Sequence, residues 1–159
     1  MKQQYFIGVD LGGTNIKFGI VSEKGTILHK GMLPAQSRLG REAILNNINR
    51  AIFHSLCVAD KKKIRIRGIG VGSPGTVNLV TGKIEGSCPN LPQMVNVGLK
   101  KWLSRYFKLP IHADNDANVM ALAVHKFGAA KGYRYALCLT LGTGIGGGII
   151  LDGELFHGS

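Results

Sequence analysis

The chain has 159 residues, with 20 lysines and arginines against nine acidic residues, 45% hydrophobic residues and 23 glycines. Its length suits one globular domain, or one domain and part of another, and its apolar content excludes a disordered chain. The net charge of +11 favours an anionic partner, whereas the absence of a long apolar run excludes a membrane-spanning helix.

The first part of the chain predicts an antiparallel meander followed by a helix. Short β-favouring runs lie at residues 5–9 and 16–21, on either side of a glycine turn, and a third run covers residues 26–29. Residues 41–56 carry apolar side chains at the spacing of one helical face.

The rest of the chain alternates between strands and helices. We expect strands at residues 64–71, 110–113 and 135–141, and helices at residues 99–107, capped by Asn96, and at residues 116–127. Strands followed by helices, after an antiparallel start, indicate an α/β domain with a mixed sheet.

One short segment recurs at an offset of 130 residues. Residues 8–14 align with residues 138–144, and in both places a strand enters a glycine turn and a β-branched strand leaves it. This pattern suits two copies of one strand-turn-strand phosphate-binding motif, one in each of two domains.

Asp10 lies at the end of the first strand and precedes a glycine turn. Glycine allows a polyphosphate to approach the backbone N–H groups of Gly12 and Gly13 closely. Asp10 can hold Mg²⁺ through water, while Thr14 offers a hydroxyl and an N–H group to phosphate. The alternative is an ordinary hairpin turn, in which glycine and aspartate are common.

Two G-x-G-x-x-G matches occur, one at Gly142, Gly144 and Gly147 and one that begins at Gly70. A dinucleotide-binding fingerprint requires a helix after the turn. The residues that follow both matches are typical of strands, so we reject a dehydrogenase. The sequence also lacks a Walker A motif.

A polar cluster, residues 114–118, joins a predicted strand to a predicted helix. Capping of the helix accounts for one of its two acids and two amides. A carboxylate flanked by amides suits a sugar hydroxyl, which an asparagine orients while the aspartate accepts its proton. Asn90, between two prolines, and Gly75, after a strand, either contact a ligand or serve as scaffolding.

Together, five segments resemble the ROK family (repressors, uncharacterised reading frames, sugar kinases). The segments are residues 8–17, 70–78, 89–91, 115–118 and 141–148, in this order. The resemblance implies an actin-like ATPase (ribonuclease H-like) fold. Residues 1–118 would form a sugar-binding domain with a mixed five-stranded sheet, and residues 119–159 a connecting helix and the first hairpin of a truncated second domain.

The resemblance also implies an ATP-dependent hexose kinase that phosphorylates a primary hydroxyl, with glucose as the default sugar. Asp116 would be the catalytic base and would bind the sugar together with Gly75, Asn90 and Asn115. The implied ATP-binding residues are Asp10, Gly12, Gly13, Thr14, Asn15, Lys17, Gly142, Thr143 and Gly144. Asp10 would also hold Mg²⁺ through water.

The chain departs from the family pattern in two places. Residues 121–124 read Ala-Leu-Ala-Val where the family usually has Ala-Leu-Gly-Glu, so an acid is lost. The family's Gly-Glu-x-Gly-His segment and its zinc loop would lie beyond Ser159, so no zinc ligand is expected here. We therefore expect a fragment that is inactive alone, in which the apolar strands of residues 135–151 have few partners and an exposed edge.

Several alternatives remain open. The sugar could be an N-acetylhexosamine (N-acetylglucosamine or N-acetylmannosamine), fructose or allose, and a ROK transcriptional regulator would need a DNA-binding domain before Asp10. Only dispersed lysines and arginines support a nucleic-acid partner, so we do not expect one. Three cysteines without C-x-x-C spacing indicate a reducing cytoplasm. We expect the full-length protein to be a homodimer with no membrane partner.

Overall fold

A computed structural model describes residues 3–142 and 144–158 of the chain. Its internal contacts divide the chain into two compact units, one that ends at Asp114 and one that begins at Asn115. Within the described residues, no helix has both the length and the apolar character that crossing a membrane requires.

The first unit is built on a mixed sheet, as the sequence predicts. Its elements are β1 (Tyr5–Leu11), β2 (Asn15–Ser22), β3 (Ile27–Pro34), α1 (Arg41–Lys61), β4 (Ile66–Ser73), β5 (Thr76–Val77), β6 (Ile84–Glu85), α2 (Leu99–Leu103) and β7 (Ile111–Asn115). The five-stranded sheet has the order β3-β2-β1-β4-β7, and β5 pairs with β6 separately. The meander is confirmed, because β1–β2 and β2–β3 are antiparallel while β1–β4 is parallel.

Helix α1 is longer than predicted because its apolar face continues past Leu56. Val58 and Ala59 still pack against the core, so the helix ends only at Lys61. Ile44, Ile48 and other apolar side chains of the same face are buried against β1, β2 and β3. The helix therefore covers one face of the sheet and leaves its polar face in solvent.

The prediction for α2 is wrong in two respects. The helix covers only Leu99–Leu103, and Gly98, not Asn96, occupies its N-cap position. Asn96 adopts a left-handed backbone with φ of 67°, and its N–H donates to the carbonyl oxygen of Ile84. Asparagine tolerates this conformation. The segment before α2 is therefore tied to β6, so the helix cannot start at Asn96.

The second unit contains α3 (Asp116–Phe127), β8 (Ala136–Leu141), β9 (Ile145–Leu151) and β10 (Glu154–Phe156). The bounds of α3 are those predicted. The strands form an antiparallel sheet in the order β10-β9-β8, one strand more than the predicted hairpin. Asp152 and Gly153 connect β9 to β10 with φ of 51° and 84°, and an Asp-Gly pair with two positive φ angles is typical of a tight hairpin turn.

Helix α3 packs against one face of this sheet, and the opposite face is apolar and exposed. Leu137, Leu139 and Leu141 alternate along β8 and are 67, 59 and 80% exposed. Because side chains of a strand point alternately to the two faces, all three lie on the face away from the helix. The sequence predicts an exposed edge for these strands, and the structure shows an exposed apolar face.

Two histidine rings stack where α1 meets the edge strand β3. The ring centroids of His29 and His54 are 5.2 Å apart, and the ring of Phe18 lies 5.6 Å from His54. Burial lowers the pKa of His29 below its ordinary value of 6.5, and the charges of His54 and Lys62 lower it further. The buried Nε2 atom of His29 has no hydrogen-bond partner among the described residues. The folded unit therefore favours neutral His29.

We expect this histidine to make the first unit less stable in acid. Because the pKa of His29 is lower in the folded chain than in the unfolded chain, its contribution is complete above about pH 6.5 and is lost as the pH falls below that value. The urea midpoint should therefore fall between pH 7.5 and pH 5, and His29→Gln should make the fall smaller. The exposed His112 supplies the control. If His112→Gln reduced the fall in the urea midpoint as much as His29→Gln does, the fall could not be attributed to His29.

Candidate functional site

The turn between β1 and β2 presents Asp10 and the glycines that follow it. Asp10 lies opposite Lys17 of β2 and Gly72 of β4 in the sheet. The Gly12 N–H donates to the Asn15 carbonyl oxygen at 3.0 Å, and a Cβ at Gly12 would lie 2.9 Å from that oxygen. Only glycine fits this position without a backbone shift.

The carboxylate of Asp10 is exposed and keeps its capacity to bind a ligand. Its Oδ2 atom lies 3.8 Å from Lys17 Nζ, and both side chains are more than half exposed. An exposed ion pair of this length contributes at most about 1 kcal/mol of stability. One carboxylate together with water is a donor set that suits Mg²⁺. No group of three or more metal-binding side chains occurs within the described part of the chain.

Gly13 brings this turn into contact with Asn90. A Cβ at Gly13 would lie 3.3 Å from the Asn90 carbonyl oxygen and 3.5 Å from the Asn90 Cβ atom. The contact links a residue predicted to bind phosphate with one predicted to bind sugar, although 77 positions separate them. Any larger residue at Gly13 would press on the Asn90 turn.

The backbone conformation and the close packing at position 75 require glycine. It has φ of 87°, and a Cβ there would lie 3.1 Å from the Ser87 carbonyl oxygen and 3.2 Å from the Cys88 Cβ atom. The Cys88 thiol approaches the Pro74 carbonyl oxygen at 3.4 Å. The turn after β4 therefore packs closely against the segment that leads into Asn90.

Two side chains, through contacts between residues distant in sequence, hold the segment after Asn90 in place. Neither was identified from the sequence. Arg41, at the start of α1, donates to the carbonyl oxygens of Gln93 at 2.7 Å and Val95 at 3.3 Å. Gln93 donates in return to the Ser37 carbonyl oxygen at 2.9 Å. These contacts join residues more than 50 positions apart, so no local pattern could reveal them. They make Arg41 and Gln93 positioning residues for the Asn90 turn.

Asn115 and Asp116 lie at the junction of β7 and α3. Asn115 is the N-cap of α3, and its Oδ1 atom accepts from the N–H groups of Ala117 at 3.0 Å and Asn118 at 3.2 Å. Asp116 is the first helical residue, and its Oδ1 atom accepts from the Ala117 N–H at 2.9 Å. The second oxygen of the Asp116 carboxylate makes no hydrogen bond to any residue that the structure describes.

The second glycine turn connects β8 and β9. The Gly142 N–H donates to the Gly144 carbonyl oxygen at 3.0 Å, and a Cβ at either glycine would meet nothing within 4 Å. This open space beside the backbone suits a phosphate group. Thr143, also predicted to bind ATP, lies outside the described residues. A strand, β9, follows this turn, as the sequence predicts, whereas a dinucleotide-binding fingerprint requires a helix there.

Gly146 and Gly148 have a packing role that the sequence reading did not assign. A Cβ at Gly148 would lie 2.5 Å from the Ala121 Cβ atom, and one at Gly146 would lie 3.1 Å from the Ala117 Cβ atom. Glycines two positions apart in β9 lie on one face of the strand, so α3 can approach closely. The glycines of residues 142–148 therefore form the turn and also allow α3, the helix that carries Asp116, to pack closely against β9.

The chain is similar to known proteins over almost its full length. The ROK family model matches residues 6–159. A glucokinase of Halalkalibacterium halodurans is 38% identical over 99% of this chain and 47% of its own length. The crystal structure of a ROK family glucokinase from Streptomyces griseus in complex with glucose and AMPPNP is 32% identical, with a TM-score of 0.87 over 98% of this chain and 47% of that one.

A ROK hexokinase from Thermus thermophilus gives a TM-score of 0.82 at 33% identity over 98% of this chain and 49% of that one. The chain therefore spans about half the length of the relatives that it matches. The actin-like ATPase fold with its mixed five-stranded sheet, expected from the sequence, is confirmed by these structural matches.

Proposed function

The chain belongs to the ROK family, and from this premise we propose that the protein is an ATP-dependent hexose kinase whose sugar is glucose. The observation that carries the proposal is the similarity to the S. griseus glucokinase, whose structure contains glucose and AMPPNP. The reaction would transfer the γ-phosphoryl group of ATP to the primary hydroxyl of the sugar.

In this proposal Asp116 accepts the proton of the attacking hydroxyl. Phosphoryl transfer passes through a loose transition state, so positioning contributes more than strong basicity, and the proton leaves late. The Ala117 N–H donates to one oxygen of Asp116, and the other oxygen would accept the proton. Asn115, Asn90 and Gly75 would orient the sugar hydroxyls.

The two glycine turns would bind ATP. Gly13, Thr14 and Asn15 would offer N–H and hydroxyl groups to phosphate in the first turn, with Lys17 supplying positive charge. Gly12, whose N–H is bonded to the Asn15 carbonyl oxygen, would let the phosphate approach the turn closely. In the second turn, Thr143 and Gly144 would contact phosphate, and Gly142, whose N–H is bonded to the Gly144 carbonyl oxygen, would leave room for it. Asp10 would hold Mg²⁺ through water, and the bound ion would neutralise phosphate charge.

The proposal extends to the organisation of the protein. Residues 1–118 would form the sugar-binding domain, and residues 119–159 would begin the second ATPase domain. Structural zinc is proposed only outside this chain, and the full-length protein is proposed to be a cytoplasmic homodimer.

A coupled assay of ADP release tests the function. We expect the protein expressed from its complete coding region to release ADP with glucose faster than with N-acetylglucosamine, N-acetylmannosamine, fructose or allose. The 159-residue chain, assayed in parallel, should release little or none, because it spans about half the length of its relatives. Absence of ADP release with every sugar would contradict the proposed kinase activity. Faster release with another sugar would show that glucose is not the preferred substrate.

A further inference from the structure

The first unit contains an open surface cavity that no part of the proposed kinase reaction uses. Its volume is about 560 Å³, within the usual range of small-molecule sites. It lies between the loop that joins β5 to β6 and the start of α2. None of the residues proposed above for ATP or sugar lines it.

The lining of this cavity is positively charged. Lys83, Lys100 and Lys101 line it together with the neutral hydrogen-bonding side chains of Thr81, Asn96 and Ser104. None of the described residues that line it is acidic, and none of the three lysines forms an ion pair with a described acidic side chain. Three lysines that line one concave surface, with no acidic residue beside them in the lining, create a field that favours a compact anion.

The walls of the cavity are fixed by backbone contacts. The Leu99 N–H donates to the Gly82 carbonyl oxygen at 3.0 Å, and Lys83 and Gly98 form an antiparallel bridge. Gly82 has φ of 66°, and a Cβ there would lie 2.6 Å from the Lys100 Cβ atom. Lys100 Nζ also donates to the Val80 carbonyl oxygen at 3.2 Å. The two walls are therefore held together before any ligand binds, which lowers the cost of ordering a site.

We propose that this cavity binds a small phosphate ester of a polyhydroxylated compound, such as a sugar phosphate. A phosphate monoester carries close to two negative charges at neutral pH, which suits the exposed Lys101 and the half-buried Lys83. The cavity is larger than a phosphate group alone requires. The hydroxyl and amide side chains of Thr81, Asn96 and Ser104 can hydrogen-bond to the hydroxyl groups of such a ligand.

Binding of glucose 6-phosphate to the 159-residue chain, measured by isothermal titration calorimetry without ATP, tests this proposal. We expect saturable binding that is tighter than that of inorganic phosphate and unchanged by excess glucose. The double variant Lys83→Gln/Lys101→Gln should weaken binding about tenfold, because each lysine supplies a charge-assisted contact. Trp102, the single tryptophan of the chain, lies next to Lys101 and offers a fluorescence signal for the same titration.

The double variant Lys24→Gln/Lys61→Gln is the matched control. It removes the same charge from exposed positions outside the cavity, and we expect it to bind glucose 6-phosphate as the unaltered chain does. Circular dichroism checks folding, and the single variant Lys101→Gln, at an exposed position, replaces the double variant if folding is lost. Absence of binding, displacement by glucose, equal weakening by both double variants, or equal affinity for inorganic phosphate would overturn the proposal. Because the assay requires no turnover, its outcome is independent of the proposed kinase reaction.

Discussion

Replacement of Asp116 by asparagine is expected to lower kcat of the protein expressed from its complete coding region by about 10²- to 10⁴-fold, the usual contribution of a general base. The KM for the sugar should change little, because an amide at this position still hydrogen-bonds to a hydroxyl. The fold should survive as well. An asparagine Oδ1 atom can accept from the Ala117 N–H as the Asp116 carboxylate does at 2.9 Å.

The control for Asp116→Asn is the same chemical change at an exposed position. Asp60→Asn, near the C-terminus of α1, removes one carboxylate outside the proposed site and should leave kcat unaltered. Coupled ADP release at saturating sugar and ATP measures kcat, and equilibrium dialysis with labelled glucose measures binding. If Asp116→Asn kept kcat within a few-fold of the unaltered protein, another group would have to be the base.

The parts of the fold and site that depend on local patterns could be predicted. The bounds of α3 follow from the polar cluster at residues 114–118, one of whose members is expected to cap the helix, and the structure places this cap at Asn115. The turn at Gly12 also follows from sequence, because an Asp-x-Gly-Gly segment between two β-favouring runs leaves few conformations. The repeat at residues 8–14 and 138–144 corresponds in each unit to an antiparallel hairpin with a glycine turn.

The parts that depend on contacts distant in sequence could not be predicted. The short extent of α2 follows from the hydrogen bond between Asn96 and Ile84, which the apolar pattern of residues 99–107 does not encode. The support that Arg41 gives to the Asn90 turn likewise spans about 50 positions. Strand β10 is different, because the Asp152-Gly153 pair that precedes it was available as a hairpin signal.

The β1–β2 pair shows how packing, and not composition, decides what each glycine does. Gly8 and Gly19 face each other as partners in this pair. A Cβ at Gly8 would meet nothing within 4 Å, whereas a Cβ at Gly19 would lie 2.3 Å from the His29 carbonyl oxygen of β3. The pairing of β2 with β3 is irregular between Ile20 and Val21, beside this contact. Gly19 is therefore required by the close approach of β3, and Gly8 is not.

From this difference we expect Gly19→Ala to lower the free energy of unfolding by about 3 kcal/mol, at the upper end of the usual cost of overpacking. The atom that the new methyl group would meet belongs to the backbone of β3, so no side-chain rotation can relieve the contact. Gly8→Ala should leave the stability of the first unit unchanged or raise it by up to about 1 kcal/mol, because alanine loses less conformational entropy than glycine on folding.

Urea unfolding followed by circular dichroism compares the two alanine variants with the unaltered chain. Both substitutions add one methyl group to directly paired positions, so differences in composition, charge and secondary-structure propensity cancel. The free energy of unfolding should then differ between them by about 3 kcal/mol or more. Similar midpoints for the two variants would mean that β3 can move away from β2 at little cost. In that case the edge of the sheet beside His29 would be looser than its contacts imply.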